Sequence, residues 1–404
     1  MPAIYAYKVR DRQGKVISGA IEAESAQAVA LKLRSMGYIV IEIKEKKEAF
    51  SFSFSLKKKI TQKDLTVFAR QFATMINSGV SITRALAILA EQTENSTLAE
   101  VIKQLRKDVE AGLSLSEALS KQGKIFPPIF INMVRAGEAG GVLDETLLRL
   151  ADHFEKDAAI KARVKSALTY PTAVLIFSLL IATAMIVFVV PTFMNMFQSL
   201  GGNLPAATMM LVNLSNFVRG KWYLIIGTFV LLIYGYKTVN KTEKGKYFFD
   251  ALKLKLPIFG SLLKKMAISK FSRTFSTLVA SGVPILQAMD IVADTAGNEV
   301  VARSLREARA SIKEGETISK PLSKSPVFPP MVVQMIAVGE ETGALDTMLK
   351  KIADFYDEEV ATMVDSLTSL LEPLLMIFLG IIIGGIVIAL YLPMFSIISV
   401  LNQQ

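Results

Sequence analysis

The spacing of apolar residues changes several times along this chain, and each change marks an element. Ile4-Tyr5-Ala6-Tyr7-Lys8-Val9 alternates, Asp11-Arg12-Gln13-Gly14-Lys15 is a turn signal, and Val16-Ile17-Ser18-Gly19-Ala20-Ile21 resumes, which predicts a hairpin. Ser25 is placed to cap a helix in which Ala26, Val29, Ala30, Leu33 and Met36 follow helical spacing. Gly37 ends that helix, and Tyr38-Ile39-Val40-Ile41-Glu42-Ile43 reads as a strand. Residues 1–44 are therefore expected to form a small α/β unit. Residues 45–59 read as a linker, with Phe50, Phe52 and Phe54 alternating with serines ahead of Lys57-Lys58-Lys59. Such a segment is a solvated tether or, in a sharper reading, one that seats its phenylalanines at a lipid interface beside lysines facing anionic headgroups.

From residue 60 the period becomes helical. Leu65, Phe68, Ala69, Phe72, Met75 and Ile76 make one stripe; breaks at Asn77-Ser78-Gly79, Gly112, Phe126-Pro127-Pro128 and Gly137–Gly141, with a new helix starting near Leu98, divide residues 60–170 into six helices. Pro171 to Met194 is a continuous apolar run, long enough to cross a bilayer, and no charge occurs between Lys165 and Arg219. Residues 195–218, with Gly201-Gly202-Asn203-Leu204-Pro205, read as a loop; residues 219–237 read as a second, short span. A second bundle over 260–372 and a third span over 373–398 complete the chain.

The second bundle and its span repeat the first. Phe68, Gly79-Val80 and Gly112 recur as Phe271, Gly282-Val283 and Gly315 at an offset of 203; Phe126-Pro127-Pro128, Gly137-Glu138, Leu143-Asp144, Pro171 and Pro191 recur as Phe328-Pro329-Pro330, Gly339-Glu340, Leu345-Asp346, Pro373 and Pro393 at an offset of 202. A period this long is a duplicated domain and not a short-period solenoid. The candidate functional positions are those that recur. Gly137, Gly140 and Gly141 are expected to permit a tight turn between the fifth and sixth helices, by positive φ or close backbone approach, and Gly79, Gly282, Gly339 and Gly343 stand with Gly137 and Gly141 as repeated motif positions and candidate partner contacts. Glu138 and Glu340 are read as partners of free N–H groups at a helix N-terminus, with contact to a partner's basic face as the alternative. Asp144 and Asp346 open the sixth helix of each copy. Pro171, Glu372 and Pro373 mark where the chain meets the membrane; the prolines either start the spans or lie within a continuous stem-to-span helix, and Glu372 sits at the wet interface or makes a polar contact inside the bilayer.

Composition narrows the chemistry. With 51% hydrophobic and 20% charged residues, the chain suits a membrane protein with large water-facing parts. It has no cysteine and one histidine, His153, so disulfides, thiol catalysis and a His/Cys zinc site are not expected. The N-terminus lacks a basic region followed by an apolar core, so no cleavable signal peptide is expected. No GxxxxGK[ST] and no GxSxG occurs, and no aromatic-laced basic face points to nucleic acid. No cofactor or metal is expected, and the spans have almost no internal charge with which to build the solute site of a small transporter.

The net charge of +10 is uneven. Residues 1–60 carry twelve Lys/Arg against six acids and residues 237–270 nine against two, while 341–372 carries eight acids against two lysines. Lysines and arginines crowd before span one and after span two, which places the N-terminus and both bundles in the cytoplasm and the C-terminus in the periplasm. The two stems differ in charge: Lys161, Arg163 and Lys165 in the first, Asp354, Asp357, Glu358 and Glu359 in the second. They are expected to face each other, within the chain or between protomers.

FARQFATMINSGVSITRALAILAEQ, the FPP step, AGEAGGVLDETLLRLADHFEK and SALTYP, with the second-copy FSRTFSTLVASGVPILQAMDIVA and GEETGALDTMLKKIADFY, resemble the type IV pilus inner-membrane platform proteins (PilC) of the type II secretion F (GspF) family. The likeness covers nearly the whole chain; the second copy departs at Glu341-Thr342 and Leu371-Glu372-Pro373. The resemblance implies a non-enzymatic protein of the bacterial inner membrane, mainly α, with two six-helix cytoplasmic bundles and three transmembrane helices. It implies as partners a hexameric cytoplasmic assembly or retraction ATPase, pilin subunits, other inner-membrane pilus assembly proteins, membrane lipid, and further copies of the chain in a dimer or higher homo-oligomer. A type II secretion pseudopilus platform is the alternative within the family.

Overall fold

A computed structural model describes residues 3–10, 16–23, 25–45, 59–199 and 205–401. The chain divides into two units, Met1–Lys57 and Lys58–Gln404. In the first, β1 (Ala3–Arg10) lies between β2 (Val16–Ala23) and β3 (Ile39–Glu45), antiparallel to both. Helix α1 (Ala26–Ser35) covers the sheet, its N-terminus capped by Ser25 Oγ accepting from Ala28 N at 3.2 Å. Tyr5, Val9, Val29 and Leu33 form the core. The expected turn at Asp11–Lys15, and Phe50, Phe52, Phe54, Lys57 and Lys58 of the linker, lie outside the described residues.

The second unit holds both copies of the repeat. The first has α2 (Gln62–Asn77), α3 (Ile82–Gln92), α4 (Ser96–Glu110), α5 (Leu115–Lys121), α6 (Pro128–Gly140) and α7 (Leu143–Ala184). Thr61 and Asp64 form a capping box at the start of α2. Phe68, Phe72, Phe126 and Phe130 pack ring on ring at its centre. Helix α7 runs into a π-helical turn, Met185–Val189, and then α8 (Val190–Ser199). Next come α9 (Ala206–Gly220), α10 (Trp222–Val239) and α11 (Glu243–Lys255). The second copy has α12 (Phe259–Ala280), α13 (Ile285–Thr295), α14 (Glu299–Lys313), α15 (Ser319–Ser323), α16 (Pro330–Thr342) and α17 (Leu345–Leu401). The six-helix bundle is thus present twice, and the buried residues of both copies form one continuous core.

Among the described residues, three helical stretches are long and apolar enough to cross a membrane: Leu143–Met196, Trp222–Val239 and Leu345–Pro393. Stem and span are one helix in each copy. Pro171 lies inside α7, and Pro373 and Pro393 lie inside α17. At 57 residues, α17 is about 85 Å long at 1.5 Å per residue. No residue of α10 is buried.

The expected loop over 195–218 needs correction, because most of it is helical. Gly201–Leu204 lie outside the described residues, but α8 reaches Ser199 and α9 begins at Ala206. Helix α9 packs on α7, the π turn and α17 through Val212 and Leu211 against Ala182, Ile386 and Leu390. Thr208 Oγ1 donates to Ala389 O at 2.5 Å, and Ser215 Oγ to Ile186 O at 2.6 Å. A π turn frees a backbone carbonyl from the regular ladder, so a hydroxyl reaching into it satisfies a group with no water available in lipid. Helix α11 is a further element before the second bundle; its Asp250 accepts from Glu299 N at 2.9 Å and so caps α14.

Candidate functional site

The repeated glycine–glutamate motif joins α6 to α7 and α16 to α17. Helix α6 continues to Gly140, so the turn is narrower than the 137–141 loop read from the sequence. Gly141 takes φ +69° and Gly343 φ +70°, the left-handed C-terminal position that favours glycine. Gly137 and Gly339 serve differently. A Cβ on Gly137 would lie 2.9 Å from Thr146 Cβ, and one on Gly339 2.9 Å from Leu345 Cα, so the last helix of each copy can approach only because these positions lack a side chain. Gly79 (φ +82°) and Gly282 (φ +79°) end the first helix of each bundle.

Glu138 reaches back to the fourth helix of its bundle. Its carboxylate accepts from Leu115 N at 2.6 Å and Ser116 N at 3.2 Å, the open N–H groups of α5. Glu340 does the same for α15, accepting from Ile318 N and from Ser319 N at 3.0 Å. Both glutamates lie at a helix N-terminus, but at that of a helix earlier in the chain. Asp144 is exposed in the first turn of α7, and Asp346 is half-buried in that of α17. Of the residues expected at the membrane entrance, Pro171 is buried, while Glu372 and Pro373 are exposed.

The two copies meet along a seam. In the stems, Ile160, Val164 and Ala167 pack with Val360, Val364 and Leu367. Arg163 Nη2 pairs with Asp365 at 2.6 Å and Lys156 Nζ with Asp354 at 2.8 Å. Nearer the bundles, Arg149 Nη1 donates to Ala280 O at 2.6 Å, and Gln287 Nε2 to Asn132 Oδ1 at 2.8 Å. The stems face each other with opposite charge, but not through every residue read from the sequence. Lys161 binds Asp157 and Gln62 within its own copy, Asp357 binds Arg273 and Ser269 within its own, and Glu358 is exposed.

Homologous groups on the two sides of this seam have different surroundings. Arg70 is gripped by Glu155 at 2.6 Å and Asp152 at 2.5 Å, which holds its guanidinium well above its ordinary pKa. Arg273, its counterpart, is covered by the first copy's stem and pulled down by burial. There Asp354, the counterpart of Asp152, is drawn off to Lys156. Cavities of about 740 and 270 Å³ flank this point, and His153 lines both. His153 is 8% exposed, and its Nδ1 has no hydrogen-bond partner. Burial drives its pKa down to about 4; Asp157 opposes this, and Arg273, Lys270 and Lys161 reinforce it. Sequence reasoning weighed His153 only as a zinc ligand; its burial depends on the other copy's surface. Thr208 and Ser215 were missed because their segment was read as a loop, although their spacing of seven in an uncharged run puts them on one helical face.

The family model described as Type II secretion system (T2SS), protein F, matches twice, at residues 68–191 and 271–393. That described as Type II secretion system protein F, N-terminal domain, matches residues 1–44. The chain belongs to the type II secretion system protein F family. It is 44% identical over 405 residues to Type IV pilus assembly protein PilC of Thermus thermophilus, covering 99% of this chain and 100% of the relative. The PilC of Myxococcus xanthus is 39% identical, over 98% and 95%. Type II secretion system protein F of Xanthomonas campestris pv. campestris is 33% identical, over 99% and 100%. Each secretion F repeat thus starts in the first helix of a bundle and ends near the far end of its membrane helix, so bundle and span are one family unit.

Proposed function

We infer that this chain is the inner-membrane platform of a type IV pilus assembly machine, a non-enzymatic part that couples a cytoplasmic ATPase to the insertion or extraction of pilin. The observation that carries this reading is mechanical: each bundle continues without a break into a membrane helix, and the two copies are tied along the seam. Force applied to a bundle therefore reaches the bilayer through hydrogen-bonded helix. The relatives named for pilus assembly, at 44% and 39% identity, support the pilus over the secretion machine. The distribution of Lys and Arg supports cytoplasmic bundles and a periplasmic C-terminus. In this reading the bundles meet the hexameric ATPase, the spans meet pilin helices, other inner-membrane assembly proteins and lipid, and the platform works as a homo-oligomer.

The test uses the full chain in lipid nanodiscs with the assembly ATPase of the same machine, under ATP, ADP and no nucleotide. Binding that changes with nucleotide is expected. Binding that is absent in all three states rejects the coupling role. The second reading, a pseudopilus platform for type II secretion, rests on the relatives named for that system, at 33% and 29% identity. Deleting the gene and scoring surface pili and secreted enzymes separately distinguishes the two.

A further inference from the structure

The contact between the two bundles is one-sided. The first copy offers α6 and the start of α7, with Asn132, Arg149 and His153. The second copy receives them on α12 and α13, with Lys270, Arg273, Ala280 and Gln287. Because the copies are homologous, each used face has an unused counterpart. The second copy's own α16 and α17 present Gln334 and Phe355 at the positions of Asn132 and His153, while Lys351, at the position of Arg149, lines the seam cavity. The first copy's α2 and α3 present Val67, Arg70, Asn77 and Arg84 at the positions of Lys270, Arg273, Ala280 and Gln287.

These unused faces carry apolar side chains in the open. Phe355 is 46% exposed, and Met331 and Val338 on the same face are 38% and 47% exposed; Val67, on the opposite unused face, is 45% exposed. Their counterparts that lie in the seam differ: His153 is 8% exposed, and Ala136, the counterpart of Val338, is half-buried. Polar chemistry carries over too. Arg84 can donate to the amide oxygen of Gln334 as Gln287 does to Asn132. Phe355 lands on Val67 beside the Arg70 guanidinium, where a ring face and a cation attract. One counterpart is mismatched: Glu358 replaces Lys156 and stands opposite Asp152, whereas Lys156 meets Asp354.

We propose that a second copy of this chain docks head to tail, its first bundle's Val67–Arg84 face receiving the Met331–Phe355 face of the neighbour's second bundle, so that the contact between protomers repeats the contact within one. The contact is heterologous. Every chain keeps one free face of each kind, so the assembly extends beyond a dimer, as a ring if the rotation between neighbours closes and as an open filament if it does not. This gives the homo-oligomer of the functional reading a surface and a polarity; the ATPase contact can succeed or fail without it.

The chain has no cysteine, so introduced pairs report cleanly. In full-length protein in nanodiscs and in native membranes, R84C with Q334C is treated with a short bis-maleimide. N132C with Q287C is the control that links within one chain. Interchain dimers and higher multiples are expected from R84C/Q334C, and dimers alone from a mixture of the two single variants, while neither single variant should link by itself. F355E is expected to cut the interchain product about tenfold, a change of about 1.4 kcal/mol, with an unchanged thermal midpoint because the side chain is exposed. E358K, which restores the lysine–aspartate pairing, is expected to raise it. If R84C/Q334C stays monomeric while the control links, or if each single variant links to itself, the head-to-tail contact is wrong.

Discussion

At position 153 the first copy carries a histidine, and at the matching position the second carries Phe355. The imidazole is buried at the seam and stays neutral down to a pKa of about 4, whereas an unfolded chain protonates it near 6.5. Between those values the unfolded state binds more protons, so stability falls as the pH drops through that window and is unaffected by this residue above it. The full effect is at most about 3.5 kcal/mol, at about 1.4 kcal/mol per pKa unit. H153F should remove that slope. Thermal midpoints of the two proteins should diverge in favour of the variant between pH 7 and pH 5; parallel curves would exclude titration of His153 as the cause. Glu138 shows how far sequence reaches at this scale. That it serves a helix N-terminus was legible from its place beside a turn. That it serves α5 was not, because the partner is set by how the bundle closes.

Among the elements, periodicity and the repeat landmarks located the six-helix pattern of each bundle, because apolar stripes, caps and Gly or Pro breaks all agreed. Helix α9 escaped since Gly201–Pro205 is a strong turn signal and the apolar run after it was absorbed into the loop. The joints are where a glycine is most exacting. G137A should cost about 1–3 kcal/mol, the usual penalty for forcing a methyl into a filled contact, since it would press on Thr146 and Leu143. G140A should be neutral or stabilise by up to about 1 kcal/mol through helix propensity, since its added Cβ comes no closer than 3.4 Å to Val142. Chemical unfolding of both variants checks the contrast, and equal losses would show that the whole motif, and not the approach at Gly137, is sensitive.

Across the whole molecule, the charge split between the stems predicted that they face each other, and the ion pairs do run between them. Which acids pair was not legible, because Arg273 claims Asp357 inside the second bundle. Lys156 and Asp354 are exposed, so the pair itself contributes no more than about 1 kcal/mol. K156D should lower the yield of the intrachain N132C–Q287C link, and adding D354K should restore it; a double variant no better than the single would remove this pair from the seam. The Arg163–Asp365 pair joins positions 202 apart and the Lys156–Asp354 pair positions 198 apart, so α7 and α17 run side by side within about a turn of the repeat offset. Ile186 and Ala389, whose carbonyls α9 grips, then stand at nearly the same height, for Ala389 matches position 187. Helix α9 is a ruler laid across two rods. A slip of about 1.5 Å, one residue's rise, would carry one of its two hydroxyls out of reach. The copies are thereby held in register at the membrane end.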